Sequence, residues 1–168
     1  MHDSAPAITR LGIVSDTHGH VPNTQAALQM LDALEVQAIL HCGDVGTSEI
    51  LPLFAPRPTH YVLGNVDPSD YEKPANGRGV GLQSHRRFGE LQLSGRNIAW
   101  LHGDDLTRLR DTINCGRYDL VCHGHTHVAK IERHGPTLVV NPGALYRASF
   151  HSVAIIELES MTAEIVRL

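Results

Sequence analysis

Residues 7–20 read Ala7-Ile-Thr-Arg-Leu-Gly-Ile-Val-Ser-Asp-Thr-His-Gly-His20, an apolar, β-branched run that stops at a polar loop containing a glycine. A run of that length, bounded by turn residues, predicts a buried strand over 7–15. Pro22 suits the first turn of a helix, and Ala27, Leu28, Leu31 and Leu34 then recur at helical spacing, so 24–34 is expected to be a helix. The pattern repeats with a strand over 37–41, then Gly43-Asp44, and a helix over 47–54 closed by Pro56 and Pro58. A third strand over 59–63 ends at Gly64. Strand, helix, strand, helix, strand implies a parallel sheet with crossover helices.

Further along, the rhythm changes. Residues 90–93 and 97–101 form a hairpin across Ser94-Gly95, followed by a helix over 106–114 and a strand over 118–122. Residues 128–133 and 137–140 flank His134-Gly135 as a second hairpin, and 152–158 with 163–168 make a third. The second half therefore reads as strand-rich and largely antiparallel. Two packed sheets with outer helices satisfy both halves. No linker divides them, so a single domain over 1–168 without a cap domain is expected. Residues 68–89 lack periodicity and read as a surface connection, with Arg86 and Arg87 as groups that could reach a substrate from the rim. The Gly77-Arg-Gly-Val-Gly81 run follows no strand and is no dinucleotide-binding signature.

Composition narrows the function. A chain of 168 residues fits one hydrophobic core. With 14 basic against 18 acidic residues, a net charge of −4 and no basic run, general binding to nucleic acid or to an anionic membrane is not expected. A small nucleotide needs only a local positive site. No apolar run approaches the roughly 18 residues of a membrane span. The N-terminus lacks the charged-then-apolar order of a leader. Cys42, Cys115 and Cys122 follow no framework spacing, which suggests a reducing compartment, and the chain is expected to be cytoplasmic. The 12 histidines stand out, histidine being the commonest metal ligand.

Many of those histidines fall in or beside five short clusters: Asp16-Thr17-His18, Gly43-Asp44, Gly64-Asn65, His102-Gly103 and Gly124-His125-Thr126-His127. The first three follow strand ends, where open α/β sheets bind ligands. Members two positions apart, Asp16 with His18 and His125 with His127, can face one side. A carboxylate such as Asp44 has two oxygens and can bridge two cations. Taken singly, each cluster is also ordinary turn chemistry or a packed histidine. Taken together, seven oxygen and nitrogen donors without a thiolate suit Mn, Fe, Co, Ni or Zn and disfavour Ca. The cysteines do not cluster with the histidines, against a structural zinc site.

The ordered set, from Ser15 to His127 with flanking similarity through Asn141-Pro142-Gly143, resembles the calcineurin-like metallophosphoesterases of the small prokaryotic phosphodiesterase type. The resemblance implies an α/β fold, a four-layer αββα sandwich of two mixed sheets, and two divalent metal ions, Mn²⁺ first among them. One ion would take Asp16, His18, Asp44 and His127; the other would take Asp44, Asn65, His102 and His125. It implies hydrolysis of a small phosphate-ester or nucleotide-like substrate by a water or hydroxide bridging both ions. Phosphomonoesterase and dinucleoside polyphosphate hydrolase activities are the enzymatic alternatives. The other class is a non-catalytic scaffold, as in the metallophosphoesterase-like subunit of retromer. Self-association into a homo-oligomer is compatible with either.

Two positions depart from the family pattern. Val66 stands directly after Gly64-Asn65, where many members have a histidine thought to protonate the leaving group. Asp104 stands two positions after His102, where many have another histidine. Asp67 keeps the acidic member of the pattern and is expected to support the site from behind. His20 is the candidate substitute acid, and Asp104 is expected to cap the following helix. Arg147 could touch a substrate phosphate but reads first as an exposed or capping arginine. His41, His123 and Cys42 read as packing or supporting residues, and His2, His60, His85, His134 and His151 as surface residues.

Overall fold

The computed structural model describes residues 7–72 and 81–168; His2 and residues 77–80 of the glycine-arginine run lie outside them. In chain order the elements are β1 (Arg10–Val14), α1 (Val21–Ala33), β2 (Ala38–His41), α2 (Ile50–Phe54), β3 (Thr59–Tyr61), a 3-10 turn (Ser69–Glu72), β4 (Leu82–Ser84), β5 (Gly89–Leu93), β6 (Arg96–Trp100), α3 (Leu106–Asn114), β7 (Leu120–Cys122), β8 (Lys130–His134), β9 (Thr137–Asn141), β10 (Ser152–Glu157) and β11 (Thr162–Arg167). One sheet has the order β11-β10-β1-β2-β3-β4 and the other β5-β6-β7-β9-β8.

The alternation of side chains along the central strands builds the layers. Leu11 and Ile13 of β1, Ala38 and Leu40 of β2, Ile98 and Trp100 of β6, Leu120 and Cys122 of β7, and Leu138 and Val140 of β9 share one buried cluster between the sheets. The opposite faces of β1 and β2, with Val14 and Ile39, pack against Ala27, Leu28 and Leu31 of α1 and Ile50, Leu51 and Phe54 of α2. Ala99, Val121 and Val139 face the other way and pack with Ile113 of α3. Three apolar interfaces separate four layers, helix, sheet, sheet, helix. Because these strands are covered on both faces, they read as continuous apolar runs rather than alternating ones.

The structure corrects or extends the sequence reading in four places. The second half is not largely antiparallel: β6–β7 and β7–β9 pair in parallel, which makes the second sheet mixed, as the family resemblance implies. The hairpin β8–β9 inserts its second strand beside β7 because Thr137–Asn141 is wholly buried, while the charged Lys130–His134 is suited to the sheet edge. The last hairpin joins the first sheet, β10 lying antiparallel to β1. Within 68–89 the chain forms β4, parallel to β3, a strand too short to leave a periodic signal. His60 and His85 are not simple surface residues: Nδ1 of His60 lies 3.0 Å from Nε2 of His85, and both rings stand edge-on to buried Trp100. Among the described residues no helix is long and apolar enough to cross a membrane.

Candidate metal centre

The parallel strands of both sheets end on one edge of the molecule. Asp16 follows β1, Asp44 follows β2, Asn65 follows β3, His102 follows β6, and His125 and His127 follow β7. Five of the seven expected ligands hold left-handed backbone: Asp16 (φ 55°), His18 (44°), Asp44 (54°), His125 (69°) and His127 (60°). That conformation is uncommon for residues other than glycine and marks sites where the fold holds strain. Gly64 and Gly124, directly before Asn65 and His125, serve close approach instead. A Cβ on Gly64 would collide with the Asp44 carboxylate, and one on Gly124 with Ser15 Oγ and the Asp16 carboxylate.

The donors converge. His127 Nε2 lies 3.1 Å from Asp16 Oδ1 and 3.2 Å from His18 Nε2. Asp44 Oδ2 lies 3.2 Å from His102 Nε2 and 3.7 Å from His18 Nε2. His125 Nδ1 lies 3.3 Å from His102 Nε2. Two groups, Asp16-His18-His127 and Asp16-Asp44-His102, each have donor atoms within 4.8 Å of one another. Asp16 belongs to both groups, and Asp44 Oδ2 lies within 3.7 Å of one histidine from each expected ligand set. Asn65 is exposed, flanked by Gly64 against the Asp44 carboxylate and by Val66, whose N–H donates to Asp44 Oδ1 at 3.2 Å.

Hydrogen bonds behind the ligands fix which nitrogens face inward. His102 Nδ1–H donates to the Cys42 carbonyl at 2.9 Å, and His127 Nδ1–H donates to the Arg147 carbonyl at 3.0 Å. In the neutral tautomer each Nε2 then turns a lone pair toward a buried carboxylate. Asp16 Oδ1 is buried and accepts no hydrogen bond. Facing lone pairs require a proton or a cation between them.

The acid–base properties show the same demand. Burial opposes the Asp16 anion, but the His18 ring 3.6 Å away, a hydrogen bond from Ser15 and the nearby charge of His102 and His127 hold its pKa below the ordinary carboxylate value. Burial opposes the Asp44 anion as well, and hydrogen bonding and charge from His102 pull its pKa below the ordinary value. Burial disfavours the His102 imidazolium, yet the Asp44 hydrogen bond and the Asp44 and Asp16 charges raise its pKa above the ordinary value. The carboxylates draw positive charge, and the oxygen and nitrogen donor set without sulfur fits divalent transition ions.

Supporting residues complete the cradle. Asp67 accepts from the backbone N–H of Val45 (3.1 Å), Gly46 (2.9 Å) and Gly64 (2.9 Å), binding the loop after β2 to the loop after β3. His20 caps α1, its Nδ1 accepting from Asn23 N at 3.3 Å, and its ring stacks on Tyr146 at 4.5 Å. Asp105, not Asp104, caps α3 through Arg108 N at 3.0 Å; Asp104 pairs instead with Arg87 Nη2 at 3.1 Å. Asn141 Nδ2 donates to Gly124 O and Thr126 Oγ1, both at 3.0 Å, pinning the loop of His125 and His127. Gly43 N donates to Nδ1 of buried His41, whose Nε2–H faces Thr17 Oγ1 at 3.1 Å. The Arg147 and Cys42 carbonyls carry no sequence signal, because backbone acceptors are anonymous in a sequence.

A two-sheet sandwich with histidine and carboxylate donors on one strand-end edge defines the class of metallophosphoesterases. A model of the calcineurin-like phosphoesterase superfamily domain matches residues 9–161, and the chain belongs to that family. It is 27% identical over 159 residues to phosphodiesterase MJ0936 of Methanocaldococcus jannaschii, covering 89% of this chain and 93% of that protein. The structure of an archaeal phosphodiesterase superposes with a TM-score of 0.83 at 26% identity, over 95% of this chain and 99% of that one. A zinc complex of Vps29 from Entamoeba histolytica superposes with a TM-score of 0.67 at 19% identity, over 95% and 98% of the two chains, and shares the fold.

Proposed function

We propose that this protein is a phosphodiesterase dependent on two divalent metal ions, formed by one domain with no cap over the site. The observation that carries the reading is the convergence on Asp44 Oδ2 of His18 and His102, one imidazole from each expected ligand set. Asp16, His18, Asp44 and His127 would hold one ion; Asp44, Asn65, His102 and His125 would hold the other. Mn²⁺ is the first candidate, with Fe, Ni, Co and Zn compatible with the same donors. When bound, such a pair supplies Lewis acidity, lowering the pKa of water toward neutrality and attracting phosphate oxygens.

The chain's own residues have separate tasks. Asp16 and Asp44 fix the charge of the centre, and Asp67 fixes the spacing of its two loops. His102 and His127 are oriented by the Cys42 and Arg147 carbonyls, so that Nε2 faces inward. Val66 has no proton to give a leaving group. His20 is the candidate donor: with Nδ1 accepting the Asn23 N–H, its neutral tautomer carries the proton on Nε2.

Metal analysis together with turnover of bis-aryl and mono-aryl phosphates tests the reading. Mn²⁺-supported turnover with preference for the diester is expected. Preference for the monoester would favour a phosphomonoesterase. Absence of turnover with every metal, or turnover untouched by Asp44→Asn, would favour the scaffold role.

A further inference from the structure

Beside the metal centre a cleft of about 180 Å³ opens against His102, lined also by Arg87, Gly103, Asp104, Asp105 and Arg108. Arg87 ties this cleft to the ligand loops. Its Nη1 donates to the Gly64 carbonyl, next to Asn65, at 3.2 Å, while its Nη2 holds Asp104. The Arg108 guanidinium rests on the Phe88 ring, 4.7 Å from its centroid. The cleft thus lies between the loop of Asn65 and the loop of His102, on the side of one expected ion.

We infer that this cleft is the subsite for the second substituent of the diester and that it selects a small polyhydroxylated group, of the ribose or glycerol kind, over an aromatic ring. The inference rests on the phosphodiesterase reading above. Two guanidinium groups and two carboxylates line the cleft, so their formal charges cancel and a further anionic group gains little there. Apart from the His102 imidazole, which the metal centre claims, no aromatic side chain lines it among the described residues. A bare ring would take water from four charged groups and return no hydrogen bonds, which is costly. A hydroxyl both donates and accepts, and neighbouring hydroxyls can satisfy carboxylate and guanidinium together. Asp104 is the acceptor for such hydroxyls, and Arg87 holds it in place. Its position two residues after His102 couples the choice of substituent to the reacting centre.

The test compares kcat/KM of the Mn²⁺-loaded protein on three diesters sharing a p-nitrophenol leaving group. Their second substituents are a nucleoside 5′-oxygen, glycerol or a second p-nitrophenyl group. The hydroxylated diesters are expected to be preferred, the better of them naming ribose or glycerol as the source. Asp104→Ala should cut that preference about tenfold, the scale of one hydrogen bond to a charged group. Asp104→Asn, closer in shape, serves if the alanine variant misfolds. Calorimetric binding of glycerol 3-phosphate and ribose 5-phosphate against phenyl phosphate reads the subsite without turnover. Preference for the bis-aryl diester, or a preference that survives both substitutions, would overturn the inference. If no diester is turned over, the phosphodiesterase reading fails. Calorimetry then judges the subsite alone: a preference lost in the Asp104 variants supports it, and no preference overturns it.

Discussion

His102 Nε2 lies 3.2 Å from Asp44 Oδ2 while the opposite nitrogen of the ring is committed to the Cys42 carbonyl. The imidazole cannot rotate to relieve the contact without losing that bond, so this pair asks for a positive charge. In the metal-free chain the Asp44 and Asp16 charges favour a proton there, raising the His102 pKa above its ordinary value. A divalent ion does so more strongly and displaces the proton, which couples metal binding to pH and to folding.

Manganese should therefore stabilise the protein. At a hundredfold excess over the dissociation constant the gain is about 2.7 kcal/mol. Thermal unfolding with Mn²⁺ against chelator should show the increment in the parent and little of it in Asp44→Asn. An equal shift in both proteins would mean that the ion binds elsewhere.

Asp67 offers a second test because its carboxylate is hydrogen-bonded to backbone N–H groups and not to an expected ligand side chain. Asp67→Ala leaves the N–H groups of Val45, Gly46 and Gly64 without their acceptor. Part-exposed amides recover some water, so a stability loss of about 2–4 kcal/mol is expected. Phosphodiester turnover should fall at least about tenfold as the loops of Asp44 and Asn65 drift apart, since small misplacement is costly in catalysis. Chemical denaturation and steady-state kinetics read the two effects separately.

Much of this arrangement was legible from residue types and order. Asp16, His18, Asp44, His102, His125 and His127 meet because each follows a parallel strand, and the apolar runs that announce those strands are visible in the sequence. The parallel pairing of β7 with β9 was not legible, since hairpin connectivity does not say which strand lies inside. Nor was the partner of Asp104: Asp104 and Asp105 offer the same capping chemistry, and only the approach of Arg87 from a distant loop separates them. The Cys42 and Arg147 carbonyls act through backbone position, which side-chain identity cannot report.

Gly64 isolates sterics from backbone strain, as its φ lies outside the left-handed region. Gly64→Ala adds one methyl group directed at the Asp44 carboxylate. Overpacking should cost about 1–3 kcal/mol, and displacement of Asp44 should lower the metal bound per chain. Gly135→Ala, with nothing within 4 Å of the added carbon but a left-handed backbone (φ 57°), is the converse comparison, strain without crowding, far from the centre. Metal analysis should show a deficit in the first variant alone.

Acid sensitivity should come from His60, which lies away from the expected donor set, and from His41, which is buried behind the loops of Asp16 and Asp44. Burial lowers the pKa of each to about 4, with neighbouring His85 adding to the effect at His60. An unfolded chain binds protons at these rings from about pH 6.5 downward, while the folded chain stays neutral until about 4. Stability from the neutral rings is thus complete above about pH 6.5 and declines as pH falls toward 4. Chelator-treated protein should lose denaturant midpoint across that window. His60→Gln, which cannot take up the proton on unfolding, should flatten the decline. A slope identical to the parent's would show that the His60–His85 pair does not govern the acid response.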